Sequence, residues 1–304
     1  MQVLVLGSYV QAHSVGVKQL PQAGESVAAE QLWIEHGGKG LNLALGMQRL
    51  GLAVNLVVAV GRDAAGQALI TYLQQAGLTT EHVLVMEGAS GFGVGLVAEE
   101  GQNMIAIYAG ANAKLNADHI EQVRPSLVDS QLVCAQFEIP EAPIIRAFQL
   151  AREAGIPTLL NPSPWRQPSA LLTALTDIWV LNETEAAQFF QLGEVSNWSS
   201  TQWLTTLEQL SWQGKLLIVT LAEQGCVAVE QEGRMNYVPA QSIELQDPTG
   251  AGDAFTAGLV YALLSRQPLS QALTTANTCG AYVAARQGVL QVLPTVEQLN
   301  TFTA

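Results

Sequence analysis

The chain is short of positive charge. Its 304 residues include 13 Lys plus Arg against 26 Asp plus Glu, a formal net charge of −13. That balance argues against nucleic acid, whose phosphates need a basic surface, and against an anionic membrane surface. Taken alone it also disfavours phosphate-bearing ligands. Cysteine is equally sparse: Cys134, Cys226 and Cys279 are odd in number and far apart. Without a C-x-x-C pair neither a zinc ribbon nor a disulfide framework is expected, and reduced thiols in the cytoplasm are the default. The four histidines are isolated, so a histidine metal site is not expected. No apolar run reaches the ~18 residues of a membrane-spanning helix. The N-terminal Met1–Gly7 lacks the basic region and apolar length of a signal peptide. What is abundant is core material: 49% of residues are hydrophobic and only 13% charged, the reverse of a disordered chain.

Short aliphatic runs alternate with longer helical patterns. Strands are predicted at Val3–Gly7, Ala53–Val60, Leu132–Ala135, Pro157–Asn161, Ile178–Leu181 and Leu216–Thr220. Between and after them, helices are predicted near Lys39–Leu50, Ala64–Ala76, Glu141–Ala154, Glu183–Leu192, Ser199–Trp212, Ala251–Ser265 and Ser270–Arg286. Such alternation implies βαβ units: an α/β fold with a doubly wound, mostly parallel sheet flanked by helices. We expect one domain over residues 1–304, without linkers or repeats. Two stretches break the rhythm. Val15–Glu35 carries Pro21 and Gly24 and no long helical pattern. Gly91–Tyr108 alternates through Phe92, Val94 and Leu96, turns at Glu99-Glu100-Gly101, and resumes at Met104, Ile105 and Ile107, a hairpin signal. We read a small β-sheet flap from roughly 11–35 and 88–110; the alternative is two ordinary surface hairpins.

Three strings carry chemistry. Asp247-Pro248-Thr249-Gly250-Ala251-Gly252-Asp253 opens a helical pattern. Its small residues let backbone N–H groups converge at a helix start, an anion site. Asp253 beside that site reads as a base held where charge develops, or as an acid that merely stabilises the helix dipole. Gly37-Gly38-Lys39-Gly40-Leu41-Asn42-Leu43-Ala44 allows close backbone approach, with Lys39 and Asn42 as donors. It is not a Walker A loop, because Gly40 rather than Ser or Thr follows the lysine; the alternative is a glycine turn before a helix. Asn182-Glu183-Thr184-Glu185 sets an amide and a carboxylate at the C-terminal edge of the sheet, suited to Mg²⁺ or simply a capping box. No Rossmann fingerprint or G-x-S-x-G elbow is present.

Together these strings resemble the two signatures of the ribokinase-like (PfkB) carbohydrate kinases, nearly end to end. Gly37–Ala44 matches the first, and Asp247–Asp253 matches the second, with Pro248 where threonine is usual. Ala109-Gly110-Ala111-Asn112, Asn161–Pro164 and Asn182–Glu185 resemble family segments in the same order. The resemblance implies ATP-dependent phosphorylation of a sugar-type hydroxyl. Asp253 would be the base, and Gly250, Ala251 and Gly252 the anion hole. Gly38, Lys39, Asn42 and Glu138 would hold the sugar. Asn182, Glu185, Thr220, Gly225 and Asn277 would serve nucleotide and Mg²⁺, Glu185 acting on the metal through water. A K⁺ site would fall at Asp247, Thr249, Val283, Arg286 and Gly288, one oxygen short because Val292 replaces a serine. The flap would be a lid and a homodimer contact.

One departure stands out. The family's N-terminal pair of sugar-binding Asn and Asp is replaced by Val10 and Ala12. We therefore expect poor ribose phosphorylation and a different sugar, polyol or nucleoside, unless a bulge lets Gln11 or His13 compensate. A nucleoside kinase of the same family and a non-catalytic binding relative remain the alternatives.

Overall fold

The computed structural model describes residues 1–98 and 102–302; the expected turn Glu99-Glu100-Gly101 lies outside them. Strand β1 (Gln2–Leu6) is followed by β2 (Val10–Val17), β3 (Ala29–Gly37), α1 (Lys39–Arg49), β4 (Ala53–Gly61), α2 (Ala64–Gln75) and β5 (Val83–Met86). Next come β6 (Gly91–Ala98), β7 (Asn103–Tyr108), a 3-10 turn (Gly110–Lys114), α3 (Ala117–Gln122), α4 (Arg124–Val128) and β8 (Leu132–Gln136). The chain continues through α5 (Glu141–Glu153), β9 (Thr158–Asn161), α6 (Ala170–Leu175), β10 (Ile178–Asn182), α7 (Glu183–Phe189) and α8 (Ser200–Gln209). It closes with β11 (Leu216–Thr220), β12 (Cys226–Glu230), β13 (Met235–Val238), α9 (Ala251–Leu264), α10 (Leu269–Ala284) and α11 (Val296–Thr301).

The main sheet has the order β13-β12-β11-β10-β9-β8-β1-β4-β5. Pairing is parallel from β5 to β11 and antiparallel at β11-β12-β13. Both faces are covered, as continuous aliphatic strands require. On β1, Val3 and Val5 face a core with α1, α9 and α10, while Leu4 and Leu6 face a second core with α5 and Trp203 of α8. The chain runs from β1 outward to β4 and β5, then returns to β8 on the other side. That reversal between β1 and β8 is a topological switch point, where strand C-termini open a crevice. The β12-β13 hairpin and β5 escaped the sequence reading; they lie at the two edges of the sheet.

The two irregular stretches form one separate four-stranded sheet, β3-β2-β6-β7, rather than two isolated hairpins. β2 and β6 pair in parallel at its centre, and β3 and β7 flank them antiparallel.

Candidate active site

The site begins where β1 meets α1. Gly40 packs so closely on the end of β1 that a Cβ there would lie 2.4 Å from Gly7 Cα and from Ser8 N. Gly38 adopts a φ of 103°, and a Cβ on it would sit 2.8 Å from the Ser8 carbonyl oxygen. The G-G-K-G spacing thus presses the helix N-terminus onto the switch point. There the Lys39 N–H donates to Glu138 Oε2 at 2.8 Å, and the Ser8 hydroxyl donates to the same oxygen. Glu138 follows β8, so this contact spans the crevice between the two halves of the sheet.

The second string arrives from the far end of the chain. Gly250 caps α9 with a φ of 78°, and a Cβ there would meet Val289 Cγ1 at 2.5 Å. Asp253 sits in the first turn of α9, 7% exposed. Its Oδ2 accepts from Asn42 Nδ2 at 2.8 Å, and its Oδ1 lies 3.8 Å from Lys39 Nζ. The Asp253 carboxylate is the main cause holding the Lys39 ammonium above the ordinary lysine range; burial opposes it, and Glu138 and Glu185 add to it. Asn42 Oδ1 is buried without a partner, a cost tolerated where a ligand donor can complete it.

Beside this cluster opens a cavity of about 760 Å³, large enough for a nucleotide-sized ligand. Its lining includes Lys39, Asn182, Thr220, Gly225, Asn277 and the stretch Gly250–Asp253. Gly225 has a φ of 96°, and a Cβ there would strike the Val238 carbonyl oxygen at 2.1 Å. The Asn277 amide donates to the carbonyls of Val238 and Pro239 at 3.1 and 3.2 Å, fixing the β13 end of the wall.

Three comparisons bear on what this site is. The model of the pfkB family of carbohydrate kinases matches residues 2–296. The chain belongs to the pfkB carbohydrate kinase family. It is 28% identical to the Haemophilus influenzae ribokinase over 299 residues, covering 98% of this chain and 97% of that one. It is 31% identical to the mouse ribokinase over 264 residues, covering 86% and 81%. The solved structure of Arabidopsis thaliana ribokinase complexed with ribose and ATP superposes with a TM-score of 0.87 at 24% identity, covering 99% of each chain. The protein is an ATP-dependent carbohydrate kinase.

For this kinase the sequence-named residues divide into four groups. Gly38, Lys39, Asn42, Glu138, Gly250 and Asp253 converge as described. Asn182, Thr220, Gly225, Ala251, Gly252 and Asn277 line the cavity. Glu185 forms the capping box that was its alternative reading: its Oε2 accepts the Asn182 N–H at 2.9 Å, and Asn182 Oδ1 accepts the Glu185 N–H at 2.8 Å. At the K⁺ positions, two of the oxygens that would meet an ion accept protein hydrogen bonds. Asp247 Oδ1 accepts the Thr249 N–H, the Val283 carbonyl accepts the Arg286 N–H, and the Arg286 guanidinium lies 3.5 Å over the Tyr282 ring. Gly288, with a φ of 91°, turns the chain there.

The compensating bulge is not where substitution would need it. β2 keeps register from Val10 to Gly16, and its shift falls at Gly16/Val17. Val10 and Ala12 therefore share one face, while Gln11 and His13 occupy the other and contact each other at 2.9 Å. Sequence reasoning missed Ser8 as a partner of Glu138, and Asp63 and Ser90 at the root of the small sheet. A serine one residue past a strand end at a switch point was the available signal for the first.

Proposed function

We propose that Asp253 is the general base of a phosphoryl transfer from ATP to a hydroxyl of a small sugar-type acceptor. The observation that carries this is the convergence of Asp253, Asn42 and Lys39 at the N-terminus of α9, on the wall of the large cavity. Asn42 orients the carboxylate, and Lys39 supplies fixed positive charge. Asp253 takes the hydroxyl proton as the acceptor oxygen bonds to the γ-phosphorus and the bond to the bridging oxygen of ADP breaks. The N–H groups of Gly250, Gly252 and Asp253 would face the charge that develops, joined by that of Ala251 on release from the Pro248 carbonyl it donates to at 3.2 Å, at a helix end whose first donors lack intrahelical partners. Gly38, Lys39, Asn42 and Glu138 hold the acceptor; Asn182, Glu185, Thr220, Gly225 and Asn277 serve the nucleotide side.

Among the described residues no three His, Cys, Asp or Glu side chains cluster as a metal cage. That suits Mg²⁺ carried on the nucleotide phosphates and reached by Glu185 through water. Bound there, the ion would neutralise phosphate charge. K⁺ at Asp247, Thr249, Val283, Arg286 and Gly288 is an optional activator, measured as kcat in KCl against NaCl. The small sheet acts as a lid that excludes water. Its exposed Leu32, Ile34, Phe92, Val94 and Met104 favour a homodimer contact. Three buried free thiols suit a cytoplasmic enzyme.

Because Val10 and Ala12 carry no hydrogen-bonding side chain, plain D-ribose is a poor acceptor, and another sugar, polyol or nucleoside is preferred. A panel of pentoses, hexoses, polyols and nucleosides with ADP release as readout identifies it; efficient turnover of D-ribose at micromolar KM would overturn this point. Asp253→Asn should lower kcat by about 10²- to 10⁴-fold with nucleotide affinity retained. Wild-type turnover in that variant would remove Asp253 as base.

A further inference from the structure

The two central strands of the small sheet leave the main body side by side, with Val10 of β2 and Gly91 of β6 as register partners. The residue before each is pinned. Tyr9 is fully buried and lies between β1 and β2, outside either ladder. Asn112, 1% exposed, supplies the missing partner. Its Oδ1 accepts the Tyr9 N–H at 3.0 Å, and its Nδ2 donates to the Tyr9 carbonyl at 2.7 Å. One side-chain amide thus does for Tyr9 what a neighbouring strand would do, sparing two buried orphan groups. Gly91 is glycine because a Cβ would lie 2.4 Å from Asn112 Nδ2 and 2.5 Å from the Tyr9 oxygen.

The β6 root is held in parallel. The Ser90 N–H donates to Asp63 Oδ2 and the Ser90 hydroxyl to Asp63 Oδ1, both at 2.7 Å; the hydroxyl oxygen accepts the Gly61 N–H at 2.9 Å. Asp63 also caps α2 through the Gly66 N–H at 2.8 Å. The Ala111 N–H donates to the Ala89 carbonyl at 3.0 Å and joins the two roots. Tyr9 is followed back, one residue away, by Ser8, whose hydroxyl meets Glu138 on the floor of the site.

We propose that Asn112 is a positioning residue: with Asp63 and Ser90 it forms the hinge line that sets the small sheet over Glu138, Lys39 and Asp253. The set of that hinge decides whether an acceptor hydroxyl or water receives the phosphoryl group. This rests on the reading of the small sheet as a lid over a kinase site.

The deciding variant is Asn112→Asp, which keeps the shape and the Oδ1 acceptor and loses the Nδ2 donor. Asp63→Asn tests the other root, and Asn112→Ala is the stronger form. Each is assayed for ATP hydrolysis without acceptor, for transfer to D-ribose, D-fructose and inosine as probes, for nucleotide Kd, and for hydrogen exchange of residues 10–17 and 91–98. In Asn112→Asp, acceptor-free hydrolysis should rise about fivefold, the scale of one lost hydrogen bond. Nucleotide Kd should hold, exchange in both strands should speed up, and KM for any probe turned over should rise while kcat changes less. A lowered melting point with hydrolysis and KM unchanged would mean a merely structural role and overturn the proposal. If Asn112→Ala does not fold, Asn112→Asp and Asp63→Asn decide. Asp253→Asn run alongside separates the two claims: wild-type transfer there removes Asp253 as the base, whereas unchanged hydrolysis in Asn112→Asp defeats only the hinge.

Discussion

The two sheets differ in how they are covered. The central strands of the main sheet are buried on both faces; β1, β4 and β8 carry hardly an exposed side chain. The small sheet leaves Leu32 at 63%, Ile34 at 54% and Ile107 at 60% exposure. Burial at roughly 25 cal/mol per Å² stabilises the first. The second is held mainly by its roots and its backbone ladder, so its apolar side chains are free to meet something else. If the small sheet is the proposed lid, stability and the closing of the site fall to different sheets.

Substitutions should separate the two. The largest effect is expected in the main sheet: Leu56→Ala, at a fully buried position of β4, should cost about 2–5 kcal/mol of unfolding free energy by denaturant titration. Gly40→Ala strikes the junction. Its Cβ would fall 2.4 Å from backbone atoms of Gly7 and Ser8, so α1 must shift, at about 1–3 kcal/mol, and turnover should fall further than stability does. Ile34→Lys on the small sheet should change monomer stability by less than about 0.5 kcal/mol while shifting a dimer toward monomer in light scattering. A large loss of stability there would erase the contrast.

The smallest effect is a pH dependence at the root of the small sheet. His36 Nδ1 lies 2.9 Å from the Tyr9 hydroxyl, and its ring stacks 4.7 Å from Tyr72. Burial holds its pKa below the ordinary value of about 6.5. The unfolded chain therefore binds the proton first, so stability is full above about pH 6.5 and declines as pH falls below it. His36→Phe should flatten part of that slope in thermal melts; His82, also lowered by burial, retains the rest.

Much of this was legible because it is local. The helix starts at Lys39 and Ala251 and the parallel strands follow from spacing and glycine placement. That Asn42 and Asp253, 211 positions apart, touch was suggested only by the family resemblance, since no local pattern encodes it. Asn112 illustrates what stays hidden. Its role is to complete the backbone of Tyr9, 103 positions away, and nothing in its neighbours signals that. The β12-β13 hairpin was missed for another reason: its antiparallel strands follow β11 without a crossover helix, outside the strand–helix alternation that revealed the others.

The parallel pairing of β2 with β6 has a consequence for biosynthesis. Its partners belong to two separate excursions of the chain, with α1, β4, α2 and β5 made between them. A nascent chain can form the β2-β3 hairpin early, but the small sheet must wait until β6 has emerged and β1 and β4 hold both roots in place. No contiguous fragment shorter than that span can reproduce it, so the sheet inherits its register from the body it stands on.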